Sequence, residues 1–143
     1  MRAVLDPNVL VSAAISPAGP PRQILTAWID ERFELIASPA LLDELADVLA
    51  RPKFRRFITS AVATEFIDGL ATDSVIVADP PQLPGVSPDP DDDYLVALAR
   101  AAGADCLVSG DRHLLGLADP DPPVLSPRQF LDLLDARSRC ASP

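Results

Sequence analysis

The chain has 143 residues, of which 48% are hydrophobic, and it carries a formal net charge of −9 at neutral pH. This length and composition indicate one folded domain rather than a disordered chain. No segment approaches the ~18 apolar residues that a membrane span needs, and no signal-peptide pattern follows Met1-Arg2, so we expect a cytoplasmic protein. Two cysteines and one histidine exclude a disulfide framework and a zinc site of histidine or thiolate ligands.

The first part of the chain alternates short apolar runs with helical patterns. Arg2–Asp6 is typical of a buried strand, and a Ser/Ala/Pro/Gly stretch then precedes an amphipathic helix over about Pro21–Glu31. The apolar run Phe33–Ala37 predicts a second strand. Ser38 follows as a helix N-cap with Pro39 at the first helical position, before a helix with an apolar stripe.

The rest of the chain continues this alternation. After a basic helical turn, the patterns predict a helix over about Ser60–Leu70, a strand over Ser74–Ala78, a proline-rich loop over Asp79–Pro90, a helix over Asp91–Ala102, a strand over Cys106–Ser109, a short helix over Arg112–Leu117, a strand at Val124–Leu125 and a closing helix over Pro127–Ala136. Such alternation indicates an α/β domain with a mainly parallel sheet. We predict one domain over residues 1–137 and a flexible tail over residues 138–143.

Acidic residues follow two of the predicted strands, where sites of parallel sheets form. Asp6 interrupts apolar chain, because the run Val9-Leu10-Val11 follows it. Burying its carboxylate would cost several kcal/mol without a positive partner, and no lysine or arginine is adjacent. A divalent cation would offset that cost; the alternative is a turn-forming role in Asp6-Pro7-Asn8. Asp111 follows Ser109-Gly110 in the same way, and its alternative role is helix capping.

Further carboxylates lie on two predicted helices. Glu44 is one helical turn from Leu41 and Val48, at the margin of the apolar stripe, so it can point toward a site at the sheet edge, although alone it would face solvent. Four more precede an apolar helix: Asp89, Asp91, Asp92 and Asp93. Some of them complement the helix N-terminus, at about 0.3 to 1 kcal/mol each, but their number favours at least one metal ligand. Oxygen ligands favour a hard ion, Mg²⁺ or Mn²⁺.

A basic segment opposes the acidic character of the chain. A net charge of −9 argues against a polyanionic partner. Four basic residues are nevertheless interleaved with Phe54 and Phe57, a pattern suited to phosphate contact and base stacking. They are Arg51, Lys53, Arg55 and Arg56. The alternative is a solvated face above two buried phenylalanines.

Three motifs carry a resemblance to a known family. They are Val4-Leu5-Asp6-Pro7-Asn8-Val9-Leu10-Val11-Ser12, then Leu41-Leu42-Asp43-Glu44-Leu45, then a block from Asp89 to Leu115 that includes Asp92 and Ser109-Gly110-Asp111. By their order and separation the chain resembles the PIN-domain ribonucleases, particularly the VapC-like toxins of bacterial toxin-antitoxin pairs. Pro7 and Ser109 depart from that pattern, since threonine is usual at both positions. Neither departure removes a carboxylate.

The resemblance implies a three-layer α/β/α PIN-like domain and a metal-dependent endoribonuclease that hydrolyses RNA phosphodiester bonds. It implies that Asp6, Asp92 and Asp111 hold one or two Mg²⁺ or Mn²⁺ ions, that Glu44 joins them and orients or deprotonates a water, and that Asn8 and Ser109 assist. Arg51 to Arg56 would guide the RNA. An antitoxin partner and a homodimer are implied in the same way.

Two other functions fit part of the pattern. One is a catalytically silent PIN-like domain that binds protein partners and keeps a structural cation site, which fold alone does not distinguish from a nuclease. The other is an aspartyl-phosphate phosphatase, which also places an aspartate after the first strand. That chemistry needs a second aspartate two residues later, where this chain has Asn8.

Overall fold

The computed structural model describes residues 1–80 and 90–141, without the side chains of residues 90–93 and 141. The strands are β1 (Arg2–Leu5), β2 (Glu34–Ala37), β3 (Val75–Ile76), β4 (Cys106–Val108) and β5 (Val124–Leu125). The helices are α1 (Pro7–Ile15), α2 (Pro20–Ile29), α3 (Pro39–Leu49), α4 (Ser60–Asp73), α5 (Pro90–Ala101), α6 (Arg112–Leu115) and α7 (Pro127–Ala141), with a 3₁₀ turn at Pro52–Phe54.

The five strands form one parallel sheet flanked by helices, in the order β3-β2-β1-β4-β5. The central strands β1 and β4 are apolar and buried, as expected where helices cover both faces of a parallel sheet. The edge strands β3 and β5 are only partly buried. The predicted α/β class with a mainly parallel sheet is therefore confirmed.

Helix α1 was not expected from the sequence, which suggested an irregular Ser/Ala/Pro/Gly stretch after the first strand. Asp6 caps this helix by accepting a hydrogen bond from the Asn8 backbone N–H at 2.9 Å. Pro7 occupies the first helical position, where the N–H that proline lacks would have no intrahelical partner. Val9 and Leu10, on the helix itself, are buried. The cap followed by proline was the signal that should have predicted it.

Other elements differ from their predicted lengths. Strand β3 is shorter than the predicted Ser74–Ala78, and α6 ends before Leu117. Helix α7 continues to Ala141, past the predicted end near Ala136, because no glycine or proline stops it there. The predicted tail therefore begins within this helix, and the boundary at residue 137 stays a prediction. Most of the predicted proline-rich loop, residues 81 to 89, lies outside the described residues.

The core continues from the sheet into the helices on its faces. Phe130 of α7 is fully buried and meets the Phe33 ring edge to face, with 5.0 Å between ring centroids. Leu10 of α1 and Leu107 of β4 are buried in the same core.

Within the described part of the chain, no helix has both the length and the apolar content that a membrane span requires.

Candidate metal centre

Three polar side chains are buried among those that the structure describes, and each directly follows a strand. Asp6 follows β1, Ser38 follows β2 and Ser109 follows β4. These strands are neighbours in the sheet, so their carboxyl ends lie along one edge. Burying a polar atom costs free energy unless the atom is hydrogen-bonded. Core packing therefore gives no reason for these three polar side chains at one edge of the sheet.

Asp6 is the buried carboxylate of this edge, with only 5% of its surface exposed. Its Oδ1 accepts from the Asn8 N–H at 2.9 Å, and its Oδ2 accepts from the Ser109 hydroxyl at 2.8 Å. Burial raises the pKa of Asp6 above its ordinary value of 3.8; both hydrogen bonds oppose this rise and the negative charge of Asp111 adds to it. No lysine or arginine of the described chain forms an ion pair with Asp6.

Ser109 links the two carboxylates that follow β1 and β4. Its hydroxyl donates to Asp6, and its oxygen accepts from the Asp111 backbone N–H at 3.0 Å. Its own N–H is held by the Leu125 carbonyl of β5 at 2.9 Å. The serine that stands where the family usually has threonine therefore supplies the hydroxyl that orients Asp6.

Asp111 also has the capping role suggested as its alternative. Its Oδ1 accepts from the His113 backbone N–H at 2.8 Å at the start of α6. Capping does not use up either aspartate, because each carboxylate oxygen has two lone pairs and each cap occupies one. Asp6 and Asp111 therefore keep oxygen lone pairs with which to bind a cation.

The other two predicted acidic residues lie on helices α3 and α5. Glu44 is exposed on α3, and its charge acts on the Tyr94 hydroxyl. Asp92 is in α5, but its side chain lies outside the described residues, as do those of Asp91 and Asp93, while Asp89 is outside altogether. Within the described side chains, no three acidic, histidine or cysteine residues gather into a metal-binding group. The structure thus brings together Asp6 and Asp111 of the predicted four.

The donor set fits a hard divalent ion. The described candidates are carboxylate oxygens, the ligands that Mg²⁺ and Mn²⁺ prefer. An ionised Asp6 without a cationic partner is also a group whose burial such an ion would offset. An open cavity of about 400 Å³ adjoins Asp111, and its lining residues are Asn8, Val9, Ser12, Pro21, Gly110, Asp111 and Pro127. A larger cavity of about 610 Å³ adjoins Phe33 and Glu34, at the opposite, amino end of β2.

A polar contact at the end of β2 was not anticipated from the sequence. The Ser38 hydroxyl and the hydroxyl of Tyr94, the sole tyrosine, are hydrogen-bonded to each other. The Tyr94 hydroxyl also donates to Asp79 Oδ1 at 3.4 Å. Ser38 was predicted only as an N-cap, which it is, through the Leu41 N–H at 3.3 Å. No sequence signal pairs two residues so far apart along the chain.

The basic segment, residues 51 to 56, lies away from the carboxyl ends of the strands. It follows α3, whose 11 residues place it about 16 Å along the helix axis from Ser38. Lys53 lies over the Phe54 ring at 5.1 Å, and Arg56 lies over the Phe57 ring at 4.9 Å. Phe57 is 53% exposed, so the alternative with both phenylalanines buried is wrong for this ring. Arg55 instead donates to the Ile58 carbonyl at 3.3 Å.

Comparison with known proteins decides the family. The profile described as PIN domain matches residues 2–113, a span that contains both strand-end aspartates. The chain belongs to the PIN domain family. PIN domains are generally nucleases that use divalent metal ions, so the family agrees with the chemistry of the donor set. The resemblance seen in the sequence is confirmed at the level of the PIN domain.

This PIN domain has a curated relative in Methanocaldococcus jannaschii, the uncharacterized protein MJ1680. The two are 27% identical, and the alignment covers 92% of this chain and 90% of the relative.

Two solved structures share the fold. PAE2754 from Pyrobaculum aerophilum has a TM-score of 0.62 and 17% identity, over 94% of this chain and 89% of that one. FitAcB from Neisseria gonorrhoeae has a TM-score of 0.52 and 17% identity, over 88% of this chain and 98% of that one. At such identity these likenesses establish the architecture of the domain.

Proposed function

We propose that this PIN domain is a metal-dependent endoribonuclease that hydrolyses phosphodiester bonds of RNA. One observation carries the proposal: Asp6, a buried carboxylate with a raised pKa, is joined through Ser109 to Asp111 at the carboxyl ends of neighbouring strands. Packing does not account for a buried charge at that position. A site that binds a divalent cation and a phosphate would account for this buried charge.

Each residue has a definite part in the proposed reaction. Asp6 and Asp111 would hold the cation, together with Asp92 of α5. Ser109 and the Asn8 N–H fix the direction of the Asp6 oxygens and favour their ionised form. Glu44 orients the attacking water or accepts its proton. When bound, Mg²⁺ or Mn²⁺ activates water and offsets the negative charge that grows on the phosphate.

The cation also explains how a chain of charge −9 acts on a polyanion. Without it, the carboxylates at the sheet edge would repel RNA. A bound cation would supply positive charge to the reacting phosphate, while Lys53 and Arg56 would contact a more distant part of the RNA strand.

The test is cleavage of mixed single-stranded RNA by the purified protein, with Mg²⁺ or Mn²⁺ and with chelator. We expect products only with metal, and at least about 100-fold less product from Asp6→Asn, because a ligand and its negative charge are lost. Asp132→Asn is the matched control, since Asp132 is exposed on α7 and distant in sequence from the site. Metal-dependent cleavage that persists unchanged in Asp6→Asn would refute the proposal. Silence of the wild type on every RNA would favour the protein-binding alternative.

We further propose that the protein is the toxin of a toxin-antitoxin pair, cytoplasmic, and active as a homodimer held in check by an antitoxin. This rests on the likeness of its motifs to VapC-like toxins. Exposed apolar side chains supply surface for such partners: Ile29, Phe57, Val62, Ile76 and Leu115. The test is growth on induction of the chain alone, of Asp6→Asn, and of the chain with the adjacent reading frame. Growth arrest by the wild type alone, relieved by the adjacent frame, is expected; no arrest would contradict the toxin role.

A further inference from the structure

Tyr94 joins three parts of the molecule through one hydroxyl group. The hydroxyl contacts Ser38, directly after β2, and donates to Asp79 at 3.4 Å, after β3. Tyr94 itself lies near the start of α5, two residues after Asp92. The residue is therefore positioned between the helix that carries one proposed metal ligand and the neighbouring strand ends.

The partners of Tyr94 also hold the start of α3. Ser38 Oγ accepts from the Leu41 N–H at 3.3 Å, and the Asp79 carboxylate accepts from the Ala40 N–H at 3.1 and 3.3 Å. Both interactions cap α3, the helix on which Glu44 lies. Because Ser38 and Asp79 accept from this helix end and also bind Tyr94, α3 and α5 are tied to each other through the tyrosine.

Burial explains why the Tyr94 hydroxyl is hydrogen-bonded. Ser38 is fully buried, and Tyr94 is partly buried. A partly buried phenol hydroxyl needs hydrogen-bond partners, and this one has both Ser38 and Asp79. The hydroxyl serves as a hydrogen-bond donor, because the Asp79 carboxylate accepts from it.

We infer that Tyr94 is a positioning residue of the metal centre: through Ser38 and Asp79 it fixes α5 against α3, and so sets Asp92 and Glu44 relative to Asp6. This inference rests on the proposed metal site. Tyr94 needs no contact with the cation for this role. Residues that orient ligands in this indirect way typically change metal affinity by about 10- to 100-fold when mutated.

The test is Mn²⁺ titration without RNA, in which the free ion is counted by electron paramagnetic resonance. Tyr94→Phe keeps the ring and removes only the hydroxyl, and we expect its Kd for Mn²⁺ to rise about tenfold. Thr59→Ala is the matched control, because it removes a hydroxyl that caps α4 through the Val62 N–H, at 3.2 Å. Its Kd should equal that of the wild type, although it too loses a hydrogen bond at a helix start.

A second pair of variants separates positioning from general loosening of the fold. Ser38→Ala should weaken Mn²⁺ binding to a similar extent, and Tyr94→Phe combined with Ser38→Ala should be no weaker than the worse single variant, because both changes break one network. Urea unfolding of each variant checks that it is folded. Kd changes that multiply in the double variant would overturn the network.

The outcomes distinguish this inference from the proposed function. Wild-type protein that binds Mn²⁺ while Tyr94→Phe binds it equally well overturns the role of Tyr94 and leaves the metal site standing. Wild-type protein that binds no Mn²⁺ overturns both.

Discussion

Burial of Asp6 places an unfavourable charge inside the metal-free protein. Its two hydrogen bonds, from the Asn8 N–H and the Ser109 hydroxyl, do not fully compensate, because desolvation and the nearby Asp111 raise its pKa above the ordinary 3.8. The folded protein therefore keeps the Asp6 proton to higher pH than the unfolded chain does. The stability associated with the protonated form is fully present below pH 3.8 and is lost as pH rises through the higher folded value.

We therefore expect Asp6→Asn to be more stable than the wild type at neutral pH in chelator, although it loses metal binding. The amide keeps Oδ1 for the Asn8 N–H, presents an N–H group instead of an acceptor to the Ser109 oxygen, and carries no charge. The stability difference should shrink as pH falls from about 7 toward about 4, where the wild-type carboxyl gains its proton. Urea unfolding across this pH range measures it. A variant less stable than the wild type at neutral pH would show that the charge of Asp6 is already compensated.

The two cysteines should differ sharply in reactivity. Cys106 is 1% exposed in β4, and burial, with the charge of Asp105, raises its pKa to about 12. Cys140 is exposed on α7. Since the thiolate is the reactive form, a disulfide reagent such as Ellman's should label Cys140 at once and Cys106 only after unfolding. Cys140→Ala should show almost no labelling in the folded state, and rapid labelling of that variant would contradict the burial of Cys106.

At the level of elements, three of the strand-to-helix junctions share one construction. Asp6-Pro7, Ser38-Pro39 and Ser126-Pro127 each place a polar cap after a strand and a proline at the first helical position. Ser126 forms a capping box: its Oγ accepts from the Gln129 N–H at 3.2 Å, and its N–H donates to Gln129 Oε1 at 2.8 Å. Pro7 thus suits the helix, and its departure from the usual threonine leaves the Asp6 contacts intact.

The basic segment after α3 should affect binding of long RNA rather than chemistry. Lys53→Ala with Arg56→Ala removes two cations that stack on phenylalanine rings. If each contacts one phosphate, the slope of log affinity against log salt should fall by about 1.4, and KM should rise about 3- to 10-fold for long RNA with little change in kcat.

Arg137→Ala with Arg139→Ala makes the same change of charge on the exposed part of α7 and serves as the control. RNA too short to reach from the metal centre to the segment should be insensitive to both double variants. An equal effect of the two double variants would mean that net charge alone is responsible.

At the scale of the whole molecule, metal binding should be coupled to folding. The proposed ligands lie in parts of the chain that are far apart in sequence, so only the folded chain assembles them. Mn²⁺ at about 100 times its Kd should raise the free energy of unfolding by about 2.7 kcal/mol. The increase should disappear in Asp6→Asn and persist in Asp132→Asn. Thermal or urea unfolding with and without Mn²⁺ measures it, and an equal gain in both variants would indicate nonspecific binding to surface carboxylates.

Several features of the PIN domain were predictable from the residues alone. The apolar runs of β1 and β4 and the cap at Ser38 predict their elements because they depend on local patterning. The position of Asp6 predicts a site because a charge after a buried strand has no packing role. Helix α1 was missed because its apolar residues extend around the helix and leave no amphipathic pattern. Its N-cap and the proline at its first position were nevertheless visible in the sequence.

Other features depend on the tertiary structure. The Ser109 hydroxyl reaches Asp6 only because β1 and β4 are neighbours in the sheet, and Tyr94 reaches Ser38 only because α5 returns to the end of β2. The position of the basic segment likewise follows from the length and placement of α3. Local chemistry is enough to predict which residue types follow the strands. The tertiary structure alone decided which of them touch, because strand order and helix return bring together residues that no periodicity relates.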